Sequence, residues 1–367
     1  MSKESGGIII IVLTLIAIGI IMTYSASGIY ADQVMGSPTY FLVRQISFFC
    51  IGIVFLVSFS LIDPGILQRN SRLIMLLAIL LLLTVYLPFL GQTTRGTKRW
   101  LKIFGFNLQP AEFSKVALCI YFSDYLSRKT KQISRGSIVA FLPPLTVLCI
   151  LSSLILIQPD LGTVVILFSL SAVLFFLSGI RPRYIWCFFL MCVLVSYFAI
   201  IKVPYRINRI LAYLDPWSDP QGSSFQIIQS FVALASGGMK GVGLGQSTQK
   251  LFYLPQSYTD FIFSIIGEEM GFIGTASVVT LFVLFFILGL RIVRRQYEPF
   301  KKLLSLSLVL LIIIQFAINS LVATGFLPTK GLPLPFISYG GSSLIINMIA
   351  VGILISIDCV QFRFRGR

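Results

Sequence analysis

Asp260 closes a polar, glycine-rich stretch, SGGMKGVGLGQSTQKLFYLPQSYTDFIFSIIGEE at 236–269, at the point where the chain turns apolar. A carboxylate facing hydrocarbon costs at least ~2.5–3.5 kcal/mol, so an acid at the mouth of an apolar span is placed against protein or water. The chain has no histidine, so acid–base work falls to carboxylates, lysine, tyrosine or water. Asp260 is therefore a functional candidate. A second reading makes it, with Thr259, a cap for the helix that follows. Glu268 and Glu269 lie roughly two turns further on, where adjacent acids within an apolar run must find partners, in helix packing or in proton handling. Glu112 and Lys115 are three residues apart and suit an ion pair on one helix face. Asp160, after Pro159, suits a helix N-cap.

The elements that must position these groups are membrane helices. Of 367 residues, 56% are hydrophobic and only 11% charged, against about 25% charged in soluble domains. The expected fold is an all-α polytopic membrane protein of about ten transmembrane helices, a single membrane domain over 1–367. The spans are expected at about Gly7–Ala26, Gln45–Ile62, Leu73–Leu90, Pro110–Leu126, Ile138–Ile157, Leu161–Ser178, Tyr184–Ile201, Phe261–Leu290, Leu303–Thr324 and Ser342–Asp358. A long outer loop at about 202–260 separates spans seven and eight, and its Phe225–Ala235 part reads as a re-entrant or interfacial helix. A second outer loop covers about 91–112. Pro110 and Glu112 suit the first turn of a helix. Cys50, Cys119, Cys149, Cys187, Cys192 and Cys359 lie in apolar runs without metal-type spacing and read as small core residues.

Charge orients this arrangement. With both termini inside, Lys3, Arg69, Arg72, Arg128, Lys129, Lys131, Arg135, Arg181, Arg183, Arg291, Arg294, Arg295, Lys301, Lys302, Arg363, Arg365 and Arg367 fall on the inner side, as the positive-inside rule requires. Most of the remaining cations gather in two outer places. One holds Arg95, Lys98, Arg99, Lys102 and Lys115, the other Lys202, Arg206, Arg209, Lys240 and Lys250. Cations kept against the topological bias point to an anionic ligand at the outer face, or to anionic lipid and loop-to-loop pairing.

Gly237, Gly238, Gly241, Gly243 and Gly245 resemble a nucleotide-binding loop only superficially. No strand precedes them and no Lys-Ser or Lys-Thr follows, so close backbone approach or loop flexibility explains them better. TKGLPLPFISYGGSS, before the last span, reads as a broken, cavity-lining segment.

SAS near the first span's outer end, RGTKRWL, LQPAEFSK, QPDLGT, the run from LDPWSDPQGSS to GEEMGFIG, and LPTKGLPLPFISYGGSS together resemble the SEDS family, which comprises FtsW, RodA and SpoVE. The match runs in order along essentially the whole chain, and GLGQSTQKLFYLP and LPTKG are nearest the FtsW type. The resemblance implies a peptidoglycan glycosyltransferase of the bacterial inner membrane that polymerises lipid II at the septum with a class B penicillin-binding protein transpeptidase and other divisome proteins. No nucleic acid is expected among its partners. The family's acid in its Thr-Asp-Phe motif falls on Asp260, which would act as general base. Gln256 and Tyr258 stand where members commonly have Glu and His. Arg99, Lys102, Lys115, Glu112, Lys250, Ser338, Gly340 and Gly341 are the substrate-binding candidates. A divalent cation (Mg2+ or Mn2+) could share the charge of the diphosphate, and no ligand cluster in the sequence marks a site for one. A lipid II flippase, a RodA- or SpoVE-type role in elongation or sporulation, and a non-catalytic divisome scaffold are the alternatives.

Overall fold

The computed structural model describes residues 2–87, 91–94, 97–103, 106–134, 137–180, 184, 186, 188, 190–191, 204–222 and 224–365. The expected seventh span, Tyr184–Ile201, lies mostly outside the described residues, as do Arg95, Arg135, Arg181, Arg183, Cys187, Cys192, Lys202 and Arg367. Helices dominate. In chain order they are α1 (Lys3–Met35), α2 (Tyr40–Leu61), α3 (Pro64–Arg69), α4 (Ser71–Thr84), α5 (Pro110–Ser134), α6 (Ile138–Ile157), α7 (Leu161–Leu177), α8 (Pro204–Leu214), α9 (Phe225–Gly237), α10 (Ile262–Arg295), α11 (Pro299–Ala323) and α12 (Gly341–Arg365).

Six of these, α1, α2, α6, α10, α11 and α12, are long and apolar enough to cross a membrane. The shorter apolar helices α4 and α7 pack against them. α12 is the inner helix: 83% of its apolar stretch is buried, against 22% for α2, which packs along it. The outer face of α2 instead exposes Val43, Ile46, Val54, Phe55 and Val57. In water such a face would be a liability; in a bilayer it is the lipid-facing surface.

The expectation of an all-α chain needs one correction. Three segments pair as an antiparallel sheet, β1 (Gly91–Thr94), β2 (Thr97–Ile103) and β3 (Phe106–Leu108). Leu101 pairs with Gly91 on one side and Leu108 on the other. The period-2 rule sends Leu101 inward, where it is buried, and turns its neighbour Lys102 out to solvent.

Helix limits also differ. α1 continues to Met35, where Gly36 ends it in the left-handed region, and α5 runs on to Ser134. α10 is longer than expected and is broken inside, at Gly271 (φ 67°, ψ −163°). The break frees main-chain groups that a continuous helix would satisfy, and the glycine-rich loop takes them up. Val242 N–H donates to the Glu268 carbonyl (2.9 Å), Gly243 N–H to that of Glu269 (3.0 Å), and Phe272 N–H to that of Gly238 (2.8 Å). So close an approach explains the glycines: a Cβ on Gly241 would lie 2.2 Å from the Glu269 carbonyl oxygen, and one on Gly271 would lie 2.3 Å from Gly241 N. The helix expected at Phe225–Ala235 is present as α9, packed on α10.

Candidate functional site

Asp260 is placed by a tight turn. The N–H groups of Thr259 (3.1 Å), Asp260 (3.1 Å) and Phe261 (3.3 Å) all donate to the Gln256 carbonyl, and Gln256 adopts φ 62° to allow it. Thr259 Oγ1 donates to Gln256 Oε1 (2.9 Å). The N-cap of α10 is Phe261, one residue beyond Asp260. That position carries no side-chain capping bond.

A second segment is laid against this turn. Ser338 Oγ donates to the Thr259 carbonyl (2.5 Å) and accepts from Leu334 N–H (2.8 Å), while Tyr339 N–H donates to the Tyr258 carbonyl (3.0 Å). Gly331 meets the acid itself: a Cβ there would be 3.3 Å from Asp260 Oδ2. From α11, the Asn319 amide donates to the carbonyls of both Asp260 (2.9 Å) and Leu332 (2.7 Å). Gln315, one turn earlier on the same face, donates to the Pro333 carbonyl (2.9 Å) and to Ser343 Oγ (3.2 Å). Two amides four residues apart thus hold the 331–333 strand of chain beside the carboxylate.

Gln315 also reaches the buried charges. Lys115 Nζ donates to Gln315 Oε1 (2.9 Å) and pairs with Glu112 (2.7 Å), and both charged side chains are almost fully buried. The pair sits in the wall behind the 331–333 segment. Arg99 also serves the scaffold, donating to the carbonyls of Gln158 and Pro159 (2.6 Å each). Next to it Asp160 caps α7, accepting from Thr163 N–H (3.1 Å) and Oγ1 (2.9 Å), and also takes a bond from Gln109 Nε2 (3.0 Å). Lys102 is exposed on the sheet. Gly341 opens α12 against Phe48, whose ring a Cβ would strike at 2.3 Å, and Gly340 sits beside Pro333.

Lys250 belongs to a different constellation. Its ammonium pairs with Glu269 (2.8 Å) and touches Ser25 Oγ (3.1 Å), and Ser25 also donates to Glu269 (2.6 Å). Glu268 accepts from Ser247 Oγ, Thr248 N–H (2.9 Å) and Thr248 Oγ1 (3.0 Å). Each acid is 1% exposed. The two carboxylates therefore fasten the loop at 247–250 to the broken part of α10 and to α1, the helix-packing role among the two expected.

Residues that sequence reasoning passed over complete the site. Asn319 and Gln315 are polar groups in the apolar run LVLLIIIQFAINSLVA, a signal of need that was readable. Lys330 and Arg44 are cations that belong to neither of the two expected clusters. Arg44 lies over the Tyr40 ring at 4.7 Å, within an aromatic group in which Phe41 meets Tyr258 (4.7 Å between centroids) and Tyr339 (4.9 Å). Burial raises the Tyr339 hydroxyl's pKa, with Arg44 opposing. Tyr258 is thus a packing residue, and Gln256 a turn residue. Among the described residues no three Asp, Glu, Cys or His side chains group so as to hold a metal ion.

Comparison with known proteins gives one consistent result. The family described as cell cycle protein, represented by FtsW, RodA and SpoVE, matches residues 7–361. A probable peptidoglycan glycosyltransferase FtsW from Geobacter metallireducens is 40% identical over 96% of this chain and 93% of its own length. The stage V sporulation protein E of Bacillus subtilis is 39% identical over 96% of each. A solved chain from a peptidoglycan synthase complex, described as coordinating polymerization and crosslinking, superposes with a TM-score of 0.79 at 24% identity, covering 97% of this chain and 98% of the other.

Proposed function

The chain belongs to the cell cycle protein family of FtsW, RodA and SpoVE, and we propose that it is a peptidoglycan glycosyltransferase that polymerises lipid II during cell division, with Asp260 as general base. The observation that carries this reading is the setting of Asp260: a carboxylate at the loop-rich end of the bundle, half-buried, off the helix cap, and held through its main chain by Gln256 and Asn319.

Lipid II presents a disaccharide on a diphosphate, already a leaving group. The protein must orient an acceptor hydroxyl, remove its proton and neutralise the departing charge. Asp260 takes the proton from the acceptor GlcNAc 4-hydroxyl as that oxygen bonds to the MurNAc anomeric carbon. The C–O bond to the diphosphate breaks on the opposite face, inverting the centre by analogy with inverting glycosidases. A Mg2+ or Mn2+ ion, if one binds, would be held by Asp260 and would supply positive charge to the diphosphate.

The chain works in the bacterial cytoplasmic membrane with both termini cytoplasmic, beside a class B penicillin-binding protein and other divisome proteins. GLGQSTQKLFYLP and LPTKG favour the division role over elongation or sporulation. Lys115, Glu268 and Glu269, the buried charges on which a flippase could draw, are each committed to partners within the protein. The test is reconstitution of the purified protein with lipid II, with and without its transpeptidase, scoring glycan chains separately from transbilayer movement. Glycan product supports the enzyme; lipid movement without glycan supports the flippase.

A further inference from the structure

We propose that Lys330 binds the diphosphate of the lipid-linked sugar, its ammonium supplying charge beside Asp260; this rests on the glycosyltransferase reading of the same site.

The described lysines at this end of the molecule fall into three groups. Lys115 and Lys250 are buried and paired with Glu112 and Glu269. Lys98, Lys102 and Lys240 are exposed, where water solvates them. Lys330 fits neither group: its side chain is partly buried, yet its ammonium has no hydrogen-bond or ion-pair partner among the described residues. Burial lowers its pKa below the ordinary lysine value. A desolvated cation without a counter-charge is costly in any fold. An anion that arrives with the substrate removes the cost, so the same desolvation that penalises the free site strengthens the contact once formed.

Its main chain is fixed on both sides. Arg209 Nη1 donates to the Thr329 carbonyl (2.9 Å), Leu332 N–H donates to the Lys330 carbonyl (3.0 Å), and Asn319 holds the Leu332 carbonyl (2.7 Å). The adjacent Gly331 is the residue that meets Asp260 Oδ2. A cation on a pinned segment next to the base is organised before the ligand binds, which is how charge acts most effectively on a leaving group. Base and cation then divide the work: the carboxylate receives the acceptor's proton and the ammonium holds the diphosphate oxygens as the glycosidic C–O bond to them breaks.

The experiment measures binding of a polyprenyl diphosphate to the purified full-length protein, with the corresponding polyprenyl alcohol as the control for tail binding. Lys330→Met should weaken diphosphate binding by about 10-fold or more and leave the alcohol unaffected, and Lys330→Arg should stay within about 3-fold of wild type. Since Lys330 has no partner to strand among the described residues, the Met variant is expected to fold. A second measurement needs no variant: reductive methylation of Lys330 in the wild type, followed by mass spectrometry, should be suppressed by the diphosphate and not by the alcohol. Equal diphosphate affinity in wild type and Lys330→Met, or methylation unchanged at saturating diphosphate, overturns the proposal. Wild-type protein that binds diphosphate through Lys330 but makes no glycan from lipid II overturns the glycosyltransferase reading and leaves the diphosphate site standing.

Discussion

The side-chain amide of Asn319 donates to the main-chain carbonyls of both Asp260, at 2.9 Å, and Leu332, at 2.7 Å. One residue of α11 therefore sets the spacing between the proposed base and the segment that carries Lys330. Asn319→Ala removes both bonds and should cost about 1–3 kcal/mol of stability. Its effect on polymerisation should be larger, about 10- to 100-fold, because a displacement near 1 Å at a reacting group has that scale. Thermal unfolding in detergent and glycan synthesis measured on the same preparation separate the two; activity falling only in proportion to the folded fraction would reduce Asn319 to a packing residue.

Lys115 gives a prediction of a different kind. Lys115→Met leaves the Glu112 carboxylate buried without its cation and should cost about 3–5 kcal/mol. The double variant Glu112→Gln/Lys115→Met should recover a large part of that loss. Full loss in the double variant would show that the charges act separately. Because both are buried, raised salt should not mimic the single substitution, whereas it should weaken any contribution from exposed Lys102.

The broken helix α10 is tested through its glycines. Gly241→Ala puts a Cβ 2.2 Å from the Glu269 carbonyl oxygen at a residue with φ 81°, whereas Gly245→Ala, also at φ 81°, meets nothing within 4 Å. The second should cost about 1–2 kcal/mol from backbone conformation alone. The first should cost clearly more and loosen the contact between the loop and α10. Equal losses in thermal stability would contradict the threading of the loop through the break.

Much of this was legible in the sequence for physical reasons. An acid at a membrane entrance is expensive, so Asp260 stood out, and Asp160 and the Pro110–Glu112 start of α5 follow local capping rules that the structure obeys. The sheet at 91–108 was missed because its strands are short and their alternation is weak; only pairing across the hairpin reveals it. Lys115 was counted with the outer cations because it lies just past the expected loop, yet the fold buries it against Gln315 of α11, 200 residues later in the chain. The partners of Glu268 and Glu269 were unreadable for the same reason. That they needed partners was evident; which of Ser25, Ser247, Thr248 and Lys250 would arrive depended on how the loop returns.

The central claim concerns Asp260, and the most direct measurement is lipid II polymerisation by purified Asp260→Asn protein with its transpeptidase partner. Asn keeps the shape and the main-chain bonds from Asn319 and to Gln256, but it cannot take up a proton. Polymerisation should fall about 10²–10⁴-fold, with thermal stability and partner binding retained. Near-normal glycan synthesis by well-folded Asp260→Asn protein would contradict the assignment of Asp260 as the base.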